Sequence, residues 1–456
     1  MTTPDLSAIA DPLVREQLAA LPACDRFATV DELRAGVARL AADHPAVARL
    51  ETIGRSRLGE PIERLVIAGG RRDAVVVGLP HPGEPFGGLT ALQLAQRLCA
   101  DAGLRDALGF TWHVVPCADP DGARLNEGWF AGPMTPSRYA RGFYRPALDE
   151  QVEWTFPLEG DGDPALPEAR ALKALLDETR PALQCSLHNS EGGGIYYYLS
   201  HAHERLQAAL PLLPAALGLP LHAGEPEAPG VRSLAPAVYR LPSGAELREM
   251  IAAAGLLDSW PGGTCSHDYA ERHGTLTVVC EVPYWIDPGS HDETPTDEPY
   301  AALLRRHAER LERPLAEIGG TLDAIAQTAR VDSPFLRAAR DFRSQLGGLP
   351  AAQRERAEAI PAERTATAAE RWSCDHELRM IQLVVGGMLL RALDAELAAG
   401  NVAASVRAAR AEHAARFDRW AADADAAMPS RPAPIERLVA AQLATVLTAA
   451  RALADD

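Results

Sequence analysis

The stretch VVVGLPHPGEPFGG, residues 75–88, decides the fold of this chain. Its β-branched apolar run predicts a buried strand, and the prolines and glycines that follow prevent a helix from starting at once. His81 and Glu84 therefore stand together at the carboxyl end of a strand. Open α/β sheets place their sites at that edge, and zinc accepts both an imidazole and a carboxylate. The short H-x-x-E motif alone is weak and needs support from more distant parts of the chain.

Strands and helices alternate on both sides of this stretch. Strands are predicted near residues 48–53, 63–67, 111–116, 183–188 and 275–282, and helices near 30–42, 87–100 and 166–181. This alternation predicts an α/β fold whose mostly parallel sheet carries helices on both faces. Residues 119–163 show no clear period, and we predict that this long segment is a loop that builds a site.

The composition of the chain changes near residue 296. Beyond it alanine, arginine, leucine and glutamate dominate, and helical periods run through 299–327, 334–346, 364–399, 402–424 and 433–453. We predict two domains, a catalytic domain over residues 1–295 and a C-terminal all-α domain over residues 296–456. The amphipathic faces of these helices are expected to pack on one another, and a homodimer through this domain stays open as an alternative.

Charge and hydropathy exclude some partners of the 456-residue chain. Its formal net charge of −17 argues against nucleic acid as a partner. No apolar run reaches the ~18 residues of a membrane span, and the amino terminus has no signal-peptide pattern, so we expect no membrane partner and a cytoplasmic location. The seven cysteines are scattered and form no C-x-x-C pair, so no disulfide framework or thiolate metal site is predicted.

Two more side chains could complete a metal site. His188 also ends a hydrophobic strand before a glycine-rich turn, although a hydrogen-bonded structural histidine has the same signature. His201 and His203 are an alternative third ligand, but they lie where a helix is predicted to begin. Glu281 stands in the apolar run TLTVVCEVPYW, where a carboxylate needs a partner or a task, such as that of a general base.

Several motifs in order resemble the zinc carboxypeptidase family of the carboxypeptidase A type. They are GRSRLGEPI, HPGE, DPDG at residues 119–122, LPEARALKALLDETRPALQCSLHNS and GGTCSHDYAERHGTLTVVCEV, and the similarity covers roughly residues 25–290. Together they are more specific than any one of them. The resemblance implies an α/β sandwich with a mixed, mainly parallel sheet and one zinc ion per chain.

The resemblance also implies roles for individual residues. His81, Glu84 and His188 match the family's zinc ligands, and Glu281 matches its catalytic glutamate. Arg145 is our choice, from three arginines in the matching interval, for the residue that polarises the scissile carbonyl.

One departure affects substrate recognition. Where the family carries an Asn-Arg pair that holds the terminal carboxylate of the substrate, this chain has Glu153 and Trp154. Either Arg138, Arg141 or Arg145 supplies the anion contact, or Glu153 binds a substrate amine or guanidinium instead. A solvated surface is the simpler explanation for any single arginine of the three.

Three hypotheses follow. The first is a zinc metallocarboxypeptidase that acts on a peptide or an amino-acid conjugate with non-standard end-group recognition. The second is an N-acyl amino acid deacylase on the same scaffold. The third is a catalytically weak relative that only binds a ligand, although such a protein would not need all three ligands and Glu281.

Overall fold

The computed structural model of this chain describes residues 3–454 except 20, 133, 158–165, 226–230, 254–259, 261 and 429–431. Its strands are β1 (Ala48–Arg55), β2 (Pro61–Ile67), β3 (Arg72–Val77), β4 (Phe110–Val115), β5 (Phe156–Pro157), β6 (Leu183–Gly192), β7 (Tyr196–Leu199), β8 (Ser233–Ala235), β9 (Val238–Arg240), β10 (Gly263–Thr264), β11 (Leu276–Trp285), β12 (Pro295–Pro299) and β13 (Thr365–Thr367).

Helices account for most of the remaining chain. They are α1 (Pro12–Ala19), α2 (Val30–Asp43), α3 (Phe86–Ala100), α4 (Ala102–Leu108), α5 (Pro120–Phe130), α6 (Pro136–Gly142), α7 (Pro167–Thr179), α8 (Glu204–Ala209), α9 (Leu213–Ala216), α10 (Gly244–Ala253), α11 (Ser266–Glu271), α12 (Tyr300–Ile325), α13 (Pro334–Leu346), α14 (Leu349–Glu358), α15 (Ala368–Met380), α16 (Gly386–Ala398), α17 (Ala404–Ala427) and α18 (Ile435–Ala454). A π-helical turn, Ile381–Val385, joins α15 to α16.

Nine of the strands in the described part of the chain form one mixed sheet, in the order β1-β2-β4-β3-β6-β11-β7-β9-β8. The four central strands β4, β3, β6 and β11 run parallel. On one side β1 and β2 pair antiparallel with their neighbours, and on the other side β7 pairs antiparallel with β11 but parallel with β9. The predicted fold class, a mixed sheet between helices followed by a helical region, is therefore confirmed. The parallel pairing is concentrated at the centre, where the candidate site lies.

Each face of the sheet is buried by its own helices. Val76, Cys185 and Cys280 point to the face that α3 and α18 cover. Val75 and Val77 point to the opposite face, which packs on α7 and α11. Because side chains alternate along a strand, residues spaced by two on β6 or β11 share one face.

Helix α18 is a C-terminal helix that packs directly on the sheet. Helices α12, α13, α16 and α17 pack around a core of their own, whereas α18 lies against α3 and β11 within the main core of the sheet. Helix α18 has the length and composition to span a membrane, but 72% of its most apolar 18-residue window is buried inside the protein. Burial of this extent is typical of a core helix. The division of the chain at residue 295 stays a prediction.

The expectation of a long loop over residues 119–163 is wrong for much of the described part of that segment, and residues 158–163 lie outside the described residues. Asp119 caps α5 and Thr135 caps α6, each with a proline in the first turn. Trp129 and Tyr139 pack against each other and against Tyr284. The sequence concealed these helices because their aromatic residues are buried on several sides and leave no simple period. Helix α14 and the short β12–β13 pair were also not predicted.

The main chain comes very close to itself at Gly87. A Cβ atom there would lie 2.6 Å from the carbonyl oxygen of Leu187. We expect Gly87→Ala to lower the free energy of unfolding by roughly 1–3 kcal/mol because a backbone oxygen cannot move aside as a side chain can. Urea denaturation measures this change. Gly128→Ala is the matched control, since Gly128 lies in α5 with no atom within 4 Å of the added Cβ, and we expect it to be neutral or stabilising.

The raised pKa of Asp119 predicts that the stability of the protein depends on pH. Burial raises the pKa of its carboxyl to about 7, although the Gly122 N–H and the Arg57 charge oppose the rise. Folding then takes up a proton between about pH 4 and 7, so stability falls as pH rises through that window. Asp119→Asn removes this titration. We therefore expect the free energy of unfolding of Asp119→Asn, relative to that of wild type, to increase as pH rises through this window, by at most about 1.4 kcal/mol per pH unit. Urea titrations at several pH values measure this, and Asp106→Asn, a change at an exposed residue that keeps Asp119, should show the same dependence on pH as wild type.

Candidate metal centre

The loop between β3 and α3 carries His81 and Glu84. It turns at Leu79, a buried residue whose φ of 45° is a left-handed backbone conformation that residues other than glycine rarely adopt. The Glu84 N–H donates to the His81 carbonyl at 3.1 Å and closes a tight turn. Both residues are 5% exposed, so the loop holds two polar groups inside the protein.

His188 lies opposite this loop on β6. One side-chain ligand atom from each of His81, Glu84 and His188 lies within 4.8 Å of the others. Glu84 Oε2 is 3.0 Å from His188 Nδ1. Among the residues that the structure describes, this is the one cluster of ligand side chains close enough to hold a metal ion. His201 and His203 lie outside this cluster, so the alternative prediction of either as the third ligand is wrong.

The chemistry of these three side chains fits zinc. His81 Nδ1 is buried and has no hydrogen-bond partner in the described part of the chain, which is costly unless the atom binds something else. Burial, helped by Arg145 and His188, holds the pKa of His81 well below its usual value, so its ring is neutral and can bind a metal. Two imidazoles and a carboxylate are a donor set typical of catalytic zinc.

The electrostatics of His188 differ from those of His81. Burial acts to lower the pKa of His188, but the charge of Glu84 and its contact with the ring outweigh burial and raise that pKa. A metal ion at this site would take the place of that proton.

Ser186 holds the ring of His188 in place. Its Oγ lies 2.9 Å from His188 Nε2, which leaves Nδ1 directed to Glu84. Such an outer contact fixes the orientation of a metal-binding imidazole. Sequence analysis missed Ser186, although its spacing of two from His188 on a strand could have indicated a shared face.

Glu281 joins the cluster from the neighbouring strand. It pairs with His188 in the parallel register of β11 and β6, and its Oε1 lies 3.9 Å from His188 Nδ1. Its side chain is 8% exposed. The structure therefore brings together all four residues that the sequence singled out, while the chemical role of Glu281 stays a prediction.

Arg145 also reaches the centre. Its Nη1 donates to Glu84 Oε1 at 3.1 Å, and its Nε donates to Gln151 Oε1 at 3.2 Å. Gln151 is anchored in turn by the Pro146 carbonyl. Sequence analysis did not single out Gln151, because a glutamine in a segment without a clear period gives no signal.

Arg138 and Arg141, which the sequence offered as anion contacts for the substrate, make other contacts in the structure. Arg138 donates to the carbonyls of Gly128 and Ala131 at the end of α5. Arg141 pairs with Asp418 on α17 and lies over the Phe417 ring. Both guanidinium groups are thus engaged in contacts between helices, and of the three arginines only Arg145 contacts the candidate metal ligands.

Glu153 and Trp154 lie in a short 3-10 helix before β5. The Glu153 carboxylate is buried and accepts hydrogen bonds from both the N–H and the hydroxyl of Ser266, at 2.9 and 3.0 Å. Ser266 also accepts from Gln184 on β6, and Glu153 contributes to the raised pKa of His188. Glu153 is therefore close enough to the centre to act on its electrostatics. The roles of Glu153 and Trp154 in substrate binding stay predictions.

Residues 33–142 match the zinc carboxypeptidase family. This match contains His81 and Glu84 and confirms the resemblance stated from the sequence motifs. It indicates a hydrolase of the metallopeptidase kind, and this family generally binds zinc. Among curated proteins, none matches this chain.

Solved structures of low sequence identity are also similar to this chain. Carboxypeptidase A from Helicoverpa armigera is 16% identical, with 61% of this chain and 71% of that chain covered and a TM-score of 0.39. Murein-tripeptide amidase from Escherichia coli O157 is 18% identical, with coverage of 52% and 88% and a TM-score of 0.28. A succinylglutamate desuccinylase from Silicibacter sp. TM1040 is 14% identical, with coverage of 52% and 59% and a TM-score of 0.28.

The geometry predicts how zinc loading responds to substitution. We expect His188→Ala to abolish stoichiometric zinc, because it removes one of three ligands, and Ser186→Ala to weaken zinc affinity by roughly 10–100-fold through loss of ring orientation. Elemental analysis and competition with a chelator measure the two effects.

His201→Ala is the control for these variants and should retain one zinc per chain. Full zinc retention in His188→Ala would contradict the ligand assignment.

Proposed function

We propose that this chain, which carries a zinc carboxypeptidase match over residues 33–142, is a zinc-dependent hydrolase of an amide bond in a peptide or an amino-acid conjugate. The observation that carries the proposal is the convergence of His81, Glu84 and His188 with the carboxylate of Glu281 beside them. A buried carboxylate next to three metal ligands is the arrangement that metal-assisted hydrolysis requires.

Zinc bound by His81, Glu84 and His188 would supply an acidified water and a polarised scissile carbonyl. Glu281 accepts the proton of the attacking water and then donates it to the departing amine. Its carboxylate lies on the same face of the sheet as His188, since the two residues face each other across β11 and β6. Neither step requires a further titratable side chain.

Arg145 has a supporting role in this proposal. Its guanidinium is held by Glu84 on one side and Gln151 on the other, which fixes a positive charge beside the ligand cluster. A fixed cation at such a point stabilises the negative charge that develops on the carbonyl oxygen.

Recognition of the substrate's end group is where this chain departs from the family pattern. Glu153 stands at the position where the family binds the terminal carboxylate of the substrate, and both of its oxygens accept hydrogen bonds from Ser266. Its negative charge opposes a free carboxylate at that position. We therefore propose a metallocarboxypeptidase-type hydrolase that does not depend on a free terminal carboxylate, with an N-acyl amino acid deacylase as the alternative.

Glu281→Gln tests the proposed chemistry. We expect kcat to fall by roughly 10²–10⁴-fold, because the amide cannot accept the proton, while one zinc per chain is retained. Hydrolysis of C-terminal peptides and N-acyl amino acids by zinc-loaded protein is the measurement. Unchanged turnover in Glu281→Gln would sink the proposed role.

The control for end-group recognition is a pair of peptides that differ only at the C-terminus. A free carboxylate and its amide should be cleaved at similar rates. Complete loss of cleavage on amidation would show that the carboxylate is read after all, and an exclusive preference for N-acyl amino acids would favour the deacylase.

A further inference from the structure

A cavity of about 360 Å³ lies between the end of β6 and the C-terminal helices. Residues 190–192, which follow His188 by two to four positions, form one wall. Tyr196, which faces Glu281 in the pairing of β7 with β11, also lines the cavity. The cavity therefore begins about one or two residue spacings, roughly 7 Å, from the candidate centre.

The opposite wall comes from the helical region. Leucine, valine, isoleucine, methionine and phenylalanine side chains from α12 to the π-helical turn provide it, and they are Leu304, Phe342, Leu346, Leu349, Met380, Ile381, Val384 and Val385. Helix α15 presses closely on β6, because a Cβ at Gly192 would lie 2.6 Å from His376 Cε1. A predominantly apolar cavity of this size is typical of a small-ligand site.

Several buried polar atoms in this lining lack hydrogen-bond partners in the described residues, and Ser190 Oγ is one of them. Gln353 is 7% exposed, and its Oε1 has no hydrogen-bond partner in the described residues. His376 Nε2 is likewise buried without a partner there. Burial holds the pKa of His376 near 3, so its ring is neutral. Buried polar atoms of this kind are expected to meet a ligand or water, and both are suited to a neutral hydrogen-bonding group.

The charged groups around the cavity disfavour an anionic ligand. Arg356 is the one arginine or lysine in the described lining, and its guanidinium is already paired with Glu225 and the Tyr300 hydroxyl. A carboxylate added to the cavity would therefore find no cationic partner there, whereas an uncharged apolar group with an amide would need none.

The position of the cavity relative to Glu153 indicates which part of the substrate the cavity would hold. Glu153 connects to β6 through Ser266 and Gln184, which precedes His188, whereas residues 190–192 follow His188. The two regions thus lie on opposite sides of His188 along one strand. If the departing amine lies toward Glu153, the acyl part of the substrate lies toward the cavity.

We propose that this cavity binds the apolar, uncharged acyl group of an N-acylated amino acid or peptide. The proposal rests on the function proposed above and specifies its substrate class. It gives the C-terminal helices a direct part in substrate selection, since they provide the apolar wall.

A series of N-acyl amino acids with one amino acid and acyl groups from acetyl to hexanoyl tests the proposal on the zinc-loaded protein. We expect kcat/KM to rise by up to about fourfold for each methylene that is buried. Val384→Phe, which fills the cavity, should lower the ratio of hexanoyl to acetyl turnover at least tenfold.

Two further variants guard against misfolding. Val402→Phe makes the same change at a residue that is 69% exposed and should behave like wild type. Phe342→Ala enlarges the cavity and should shift the preference to longer acyl groups. Circular dichroism checks that each variant is folded. Equal chain-length dependence in wild type, Val384→Phe and Phe342→Ala would overturn the proposal.

Ligand-observed NMR with hexanamide separates this proposal from the proposed function. Binding to wild type that is lost in Val384→Phe, without hydrolysis of any acyl amino acid or peptide, would support the cavity and reject the hydrolase. Hydrolysis without any dependence on acyl length and without hexanamide binding would retain the hydrolase and reject the cavity.

Discussion

The close approach of the first turn of α3 to β6, and of Gly78 to that turn, is the constraint on which the centre depends. Gly78 and Gly87 let the main chain pass where a side chain would collide, since a Cβ at either position would lie 2.6 Å from a backbone oxygen. The left-handed turn at Leu79 adds local strain that the surrounding core must offset. As a result His81 and Glu84 meet His188 inside the protein, where water screens their charges poorly.

A second layer of contacts gives this cluster its orientation. Ser186 fixes His188 from its own strand, and Gln151 fixes Arg145, which in turn contacts Glu84. Each contact limits the rotation of a group in the centre and so reduces the reorganisation needed when a substrate binds. Glu153 extends the polar layer through Ser266 and Gln184 to β6. The charge at the centre thus depends on residues from β6, β11 and the segment between α6 and β5.

The helical region completes the surroundings of the centre in two ways. Helix α18 packs on α3 and β11 and contributes to the core beneath the sheet, where Gln442 donates to the His188 carbonyl. The segment from α12 to the π-helical turn instead forms the apolar wall of the cavity beyond β6. A network of Arg356, Glu225 and Tyr300 links that wall to the segment after β7. The described C-terminal helices therefore share both core and cavity with the sheet.

The sequence by itself determined the central strands, the fold class and the four residues of the centre, because strand periodicity and turn residues are local properties. It also located His188 and Glu281 at strand positions where a buried polar side chain needs a partner. Only the tertiary structure decided that Arg145 rather than Arg138 or Arg141 contacts Glu84, that α5 and α6 replace much of the expected loop, and that the C-terminal helices line a cavity beside β6. Those outcomes depend on which segments pack together, and contacts between residues far apart in sequence leave no local pattern in the chain.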